Sequence, residues 1–216
     1  MSARENILGR IRAANASHRI DGTGSEQIVA SHLSDRKRGP LPGMKWKRIA
    51  RFKRCSAEAA TTVDEVSSRA DVPAAVARYL AEHELPKTGV CWPELGDLDW
   101  HGAGLEIEAR PANGDDKSGI TGSFCGLAET GTLMLLSGEQ THATTSLLPD
   151  THIALVSASR IVRCMEDAWD LFRKEIGDFP RQVNFVSGAS RTADIEMTLV
   201  YGAHGPFRVH VIIVDE

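Results

Sequence analysis

The sequence predicts an α/β fold, a layered sheet with flanking helices, behind a helical N-terminal extension. Three observations predict it. Short apolar runs bounded by turn residues recur from residue 59 onward, amphipathic segments at helical spacing fall between them, and 42% hydrophobic with 25% charged residues is ordinary globular composition. A chain of 216 residues holds one domain, or one domain with an extension, and enough apolar material for its own core.

Ser2 and Glu5 stand at capping-box spacing, and Ile7, Leu8 and Ile11 repeat along one face, so a helix is expected to about Ser17. Residues 18–43 are polar and rich in Gly, Ser and Pro; they read as a flexible arm with room for one short helix. The expected division is therefore 1–43 for the helix and arm, and 44–216 for the α/β domain. A second helix is expected from Met44 to Glu58, then a strand over 59–66. Asp71–Glu84 is amphipathic, with Asp71 as cap and Pro73 in the first turn. Strands are expected at Thr88–Cys91, Leu105–Ala109, Ile120–Phe124, Thr132–Leu136, His152–Val156, Val183–Val186 and Arg208–Val214, with a helix at Cys164–Ile176.

The four cysteines, Cys55, Cys91, Cys125 and Cys164, are 34 to 39 residues apart, without a Cys-x-x-Cys pair. That spacing argues against a structural zinc site or a cysteine-held cluster and for buried thiols in a reducing compartment. No apolar stretch has signal-peptide or membrane-spanning length, so the chain is expected to be cytoplasmic. Net charge is −4, yet residues 36–54 carry nine basic residues and no acid. Trp46 and Phe52 interleave with these cations as on nucleic-acid surfaces. Their helical spacing instead favours an amphipathic helix with a solvated basic face, or a face for an acidic partner.

Chemistry concentrates in the later half. In VNFVSGASRTADIE (183–196) a strand ends in a Ser-Gly-Ala-Ser turn, with a helix expected from Ser190 or Thr192. Such a turn aims N–H groups and a helix dipole at an anion, and Arg191 adds a forked cation. Asp194 and Glu196 would fall in the first helical turn and satisfy the dipole themselves, so a well-capped helix is the competing reading. In Glu129-Thr130-Gly131-Thr132 the glycine permits close backbone approach at a strand mouth, and Glu129 is either a base or a solvated turn residue. His204 sits in the Gly202–Pro206 turn as a proton-handling or structural group. His142, His152 and His210 read as packed or surface histidines, and Cys125 as an inert buried thiol. The expected site brings the Ser187–Asp194 bend to the Glu129–Thr132 strand mouth around one small anion.

Taken together, LAETGTLML, LLPDTHIALVSASRIV and SGASRTADIEMTLVYGAHGP, in that order, resemble the LUD-domain family of lactate-utilisation (LutC-like) proteins. The likeness is strongest over 85–216; the Arg51-Phe52 helix also looks like the family's N-terminal region. It implies a fold similar to the NagB/RpiA/CoA-transferase group. It further implies a non-redox component in the oxidation of L-lactate to pyruvate, with iron–sulfur clusters on partner proteins and none bound by this chain. The matched positions are Glu129, Thr130, Gly131, Thr132, Pro149, Gly188, Ser190, Arg191, Thr192, Asp194, Glu196, His204, Gly205 and Pro206. Of these, Glu129, Asp194 and His204 are the proton-handling candidates. Thr130, Gly131, Thr132, Gly188, Ser190, Arg191, Thr192 and Gly205 are the ligand-binding ones; no metal ligand is expected. The rival reading is a stand-alone transferase or ligase acting on a phosphorylated or CoA-linked metabolite.

Overall fold

The computed structural model describes residues 3–17, 22–35, 38–41, 43–192 and 200–215. Its contacts divide into two units, Met1–Gly43 and Met44–Glu216. The first holds helices α1 (Ala3–Ser17) and α2 (Gly22–Asp35), so the arm expected between residues 18 and 43 is largely a second, four-turn helix. Ile28, Val29 and Leu33 give α2 an exposed apolar face, as Ile7, Leu8 and Ile11 do for α1. Ser2, the expected cap of α1, lies outside the described residues.

The second unit opens with α3 (Arg48–Glu58), β1 (Thr61–Val66), α4 (Val72–Glu82), β2 (Thr88–Cys91) and β3 (Glu106–Ala109). There follow β4 (Ser118–Thr121), β5 (Cys125–Leu127), β6 (Thr132–Leu136), α5 (Thr144–Leu147), β7 (Thr151–Ser157) and β8 (Ile161–Val162). The chain ends through α6 (Met165–Glu175), β9 (Val183–Val186), β10 (Arg191–Thr192), β11 (Val200–Tyr201) and β12 (Arg208–Val214).

Six strands form one parallel sheet in the order β1-β12-β7-β4-β2-β3. Its central strands β7 and β12 are buried throughout most of their length, which is why they read as near-continuous apolar runs. Val72, Val76, Tyr79 and Leu80 of α4 pack into the same core, each fully buried aliphatic side chain contributing about 2 kcal/mol. A second sheet, β8-β5-β6-β9, packs Cys125, Leu127 and Met134 against Ala168 and Phe172 of α6. β10 and β11 pair as a two-stranded ribbon.

Local chemistry moves several expected boundaries. α3 starts at Arg48 rather than Met44, because Lys47 is extended. Asp71 does not cap α4 with its side chain. Its carboxylate accepts from the Ser68 N–H (3.0 Å) and hydroxyl (2.8 Å), closing a short 3-10 turn, Arg69–Asp71, ahead of the helix. The glycine-spaced stretch 119–126 splits into β4 of one sheet and β5 of the other.

Candidate functional site

The register of the second sheet brings the two predicted motifs together. β6 and β9 run antiparallel with Leu133 opposite Val186, so the next step sets Thr132 beside Ser187, their hydroxyl oxygens 2.5 Å apart. Thr130 Oγ1 lies 2.7 Å from Thr132 Oγ1, completing a three-hydroxyl chain. Thr132 is buried, whereas Thr130 and Ser187 are exposed.

The last turn of α3 sits against both motifs. Gly131 has φ +66°, and a Cβ there would stand 2.3 Å from the Ser56 nitrogen; Gly188 has φ +83°, and a Cβ would stand 1.9 Å from the Ala59 carbonyl oxygen. The close backbone approach that these glycines permit is thus to the helix itself. Ser56 Oγ donates to the Gly131 carbonyl (3.3 Å), and Arg51 Nη2 donates to the Glu129 carbonyl (3.1 Å). Arg48 Nη1 likewise donates to the Ile161 carbonyl (3.0 Å). Part of the basic stretch therefore clamps α3 onto the second sheet.

The bend after β9 does not open a helix at Ser190 or Thr192, because Arg191 and Thr192 pair with Tyr201 and Val200 as a ribbon. The Ser190 N–H donates to the Pro206 carbonyl (2.9 Å), and the Ser190 carbonyl accepts from the Gly202 N–H (2.9 Å). The Ser190 N–H, predicted to face an anion, is thus consumed by the adjoining loop. The His204 N–H donates to Ser190 Oγ (3.3 Å), and Gly205 packs beside the Ser190 side chain, so the His-Gly-Pro turn and the bend are one assembly. Arg191 and His204 are exposed, and Glu129 is half-buried. Asp194 and Glu196 lie outside the described residues.

In front of this assembly, at the amino ends of β1 and β12, is a cavity of about 300 Å³. Ala189 of the bend, Tyr201 of the ribbon and Phe207 and Arg208 at the start of β12 line it, facing Thr62 and Tyr79. The Arg208 guanidinium lies 4.8 Å from the Phe207 ring centre, and no carboxylate among the described residues pairs with it. Behind Tyr79 stands His210, its ring stacked at 4.0 Å and its Nδ1 2.8 Å from Thr62 Oγ1. Burial pushes His210 down to about 4, so it is neutral at pH 7. His152 on β7, wholly enclosed with Nε2 2.8 Å from Thr121 Oγ1, is likewise held at about 4 by burial. Neither buried histidine is surface-facing; both are core groups. Arg208, Tyr201, Phe207 and Tyr79 escaped the sequence reading. The signal available was the aromatic pair bracketing Gly202–Pro206 with a cation at the next position.

All four cysteines are buried and unpaired, and burial pushes the Cys125 thiol up to about 12 and the Cys91 thiol to about 11. Among the described residues no group of three or more His, Cys, Asp or Glu is arranged to hold a metal ion. No helix among them is long and apolar enough to cross a membrane.

The chain is 38% identical over 129 residues to lactate utilization protein C of Bacillus subtilis (strain 168), covering 58% of this chain and 54% of that protein. It is 46% identical over 101 residues to lactate utilization protein C 1 of Bacillus mycoides (strain KBAB4), covering 45% and 43%. The chain thus spans about half the length of the curated relatives it matches. A crystal structure of a DUF162-family protein from Deinococcus radiodurans superposes with TM-score 0.58 at 22% identity, over 81% of this chain and 99% of that one, and so shares the fold. The LUD domain model matches residues 49–214, the span that contains the sheet, the hydroxyl chain and the Arg208 cavity, and the chain therefore belongs to the LUD domain family.

Proposed function

We propose that this chain acts in lactate utilisation as the non-redox component of an iron–sulfur-dependent system that oxidises L-lactate to pyruvate. The observation that carries the reading is the Arg208 cavity: a guanidinium backed by an aromatic ring, free of any described carboxylate, beside the family's own motif residues. A forked cation against an apolar wall suits a small carboxylate whose remainder is a methyl-bearing carbon. Ser190, Arg191 and Thr192, which follow the cavity-lining Ala189 in the chain, would stand beside the ligand, with Glu129, His204 and Asp194 as proton-handling groups. Removing two electrons from lactate requires an acceptor, and the scattered, buried cysteines are compatible with one carried by partner chains. The names of the relatives support the same reading.

Affinity purification of the chain from its native cell, joined to a deletion, tests this. Co-purification of brown iron–sulfur proteins and loss of growth on L-lactate are the expected results. Growth unaffected by the deletion, with no such partners, would overturn the reading. A large thermal shift with coenzyme A or a nucleotide would then favour the transferase or ligase alternative.

A further inference from the structure

The opposite, carboxyl end of the parallel sheet holds a second cavity, of about 330 Å³, which shares no lining residue with the Arg208 cavity. Its placement follows from the strand order. From β2 the chain passes outward to β3 and then returns to β4 on the other side of β2, from which it continues to β7. The sheet therefore reverses its winding between β2 and β4, and open α/β sheets leave a crevice outside the carboxyl ends of the strands at such a point. Glu94, Ser123 and Arg160 lie two or three residues beyond the ends of β2, β4 and β7, three adjacent strands, and all three line the cavity.

The groups gathered there are mostly acceptors. The Glu94 side chain, exposed at the cavity rim, makes no described hydrogen bond; its carboxylate lies over Gly122, and partial desolvation raises its pKa. Outside the cavity, Arg69 bonds the Glu94 carbonyl (2.7 Å) and the Asp97 carboxylate (2.8 Å), and its charge offsets only part of the rise in the Glu94 pKa. Ser123 Oγ donates its proton to the Leu155 carbonyl (2.7 Å), leaving its lone pairs to the cavity. Arg160, the cation within, is engaged by the Phe124 carbonyl (2.5 Å) and by Glu175 (2.8 Å), with the Phe124 ring 4.7 Å away. Glu175 and Ile176 bring the carbonyl end of the eleven-residue α6 to the same wall. Arg173 and Lys174 in that last turn offset part of its field. Two carboxylates against one committed guanidinium, at the negative end of a helix, select hydrogen-bond donors that carry positive charge. The aromatic surfaces of Trp92 and Phe124 suit the same charge.

We propose that this crevice is a binding site for a small ammonium-bearing metabolite, with Glu94 as the direct partner of the ammonium group. It is a site separate from the Arg208 cavity, on different residues, and it stands whether or not the lactate reading holds.

The indole N–H of Trp92, which donates to the His142 carbonyl (2.8 Å), reports on this site. Ethanolamine titrated into isotopically labelled protein should move the Trp92 indole resonance to saturation. Ethylene glycol and L-lactate at the same concentrations should leave it in place. Glu94→Gln should weaken the ethanolamine response about tenfold or more, the loss of one charged hydrogen bond, while the rest of the spectrum stays that of the folded protein. An equal response to ethylene glycol, a response to lactate alone, no response to ethanolamine, or an unweakened response in Glu94→Gln would each overturn the proposal.

Discussion

The two ends of the parallel sheet are built from opposite electrostatics. At the amino end, Arg208 faces an aromatic cavity over two neutral histidine-bearing strands, with no carboxylate among the described residues of its wall. At the carboxyl end, Glu94 and Glu175 outnumber Arg160, and the carbonyl end of α6 joins them. The family's motif residues gather beside the amino end, yet Gly131 and Gly188, central to those motifs, pack the last turn of α3. A residue carried by a family pattern can thus hold the frame of a site while an unremarked neighbour supplies its charge.

The largest effect expected from breaking this contrast is at Gly188. Alanine there takes on a left-handed backbone and a collision with the Ala59 carbonyl, a cost of about 3 kcal/mol in urea unfolding. Gly177, at the C-terminus of α6 beside the other end, has φ +78° and open space around its absent Cβ. Gly177→Ala should cost only the backbone strain, about 1 kcal/mol. Equal costs at the two positions would mean that α3 is not gripped as described.

Acid comes next. His152 and His210 are neutral when folded at pH 7, and their folded pKa values lie below the ordinary histidine value. The unfolded chain therefore binds their protons first. Their contribution is fully present above about pH 6.5 and is lost as pH falls toward 4, about 3 kcal/mol for the wholly enclosed His152. Urea midpoints measured between pH 7 and 4.5 should fall steeply, and His152→Gln should flatten part of that slope. A slope unchanged by the substitution would place the acid sensitivity elsewhere.

Much of this fold was legible because the evidence for it is local. Thr88–Cys91, Thr132–Leu136, Val183–Val186 and Arg208–Val214 were each bounded by turn residues, and they are strands at those bounds. Three-residue β5 and two-residue β8 are too short to carry an alternation, and their pairing is set by distant partners, so nothing near them announces it. The turn after Val186 was misread as a helix start. A Gly-Ala-Ser bend followed by polar residues satisfies local helix rules equally well, and only the approach of Pro206 and Gly202 decides for a ribbon. The expected meeting of the Ser187–Asp194 bend with the Glu129–Thr132 strand mouth is seen at Thr132 and Ser187. Arg208 was hidden by its place as the first residue of a long apolar strand.

The most direct test of the anion-favouring amino end is calorimetric titration of L-lactate into the native protein and into Arg208→Gln. The account predicts saturable binding to the native chain, weakened at least about tenfold by the substitution, with the urea midpoint unmoved. Binding undiminished in Arg208→Gln would contradict it.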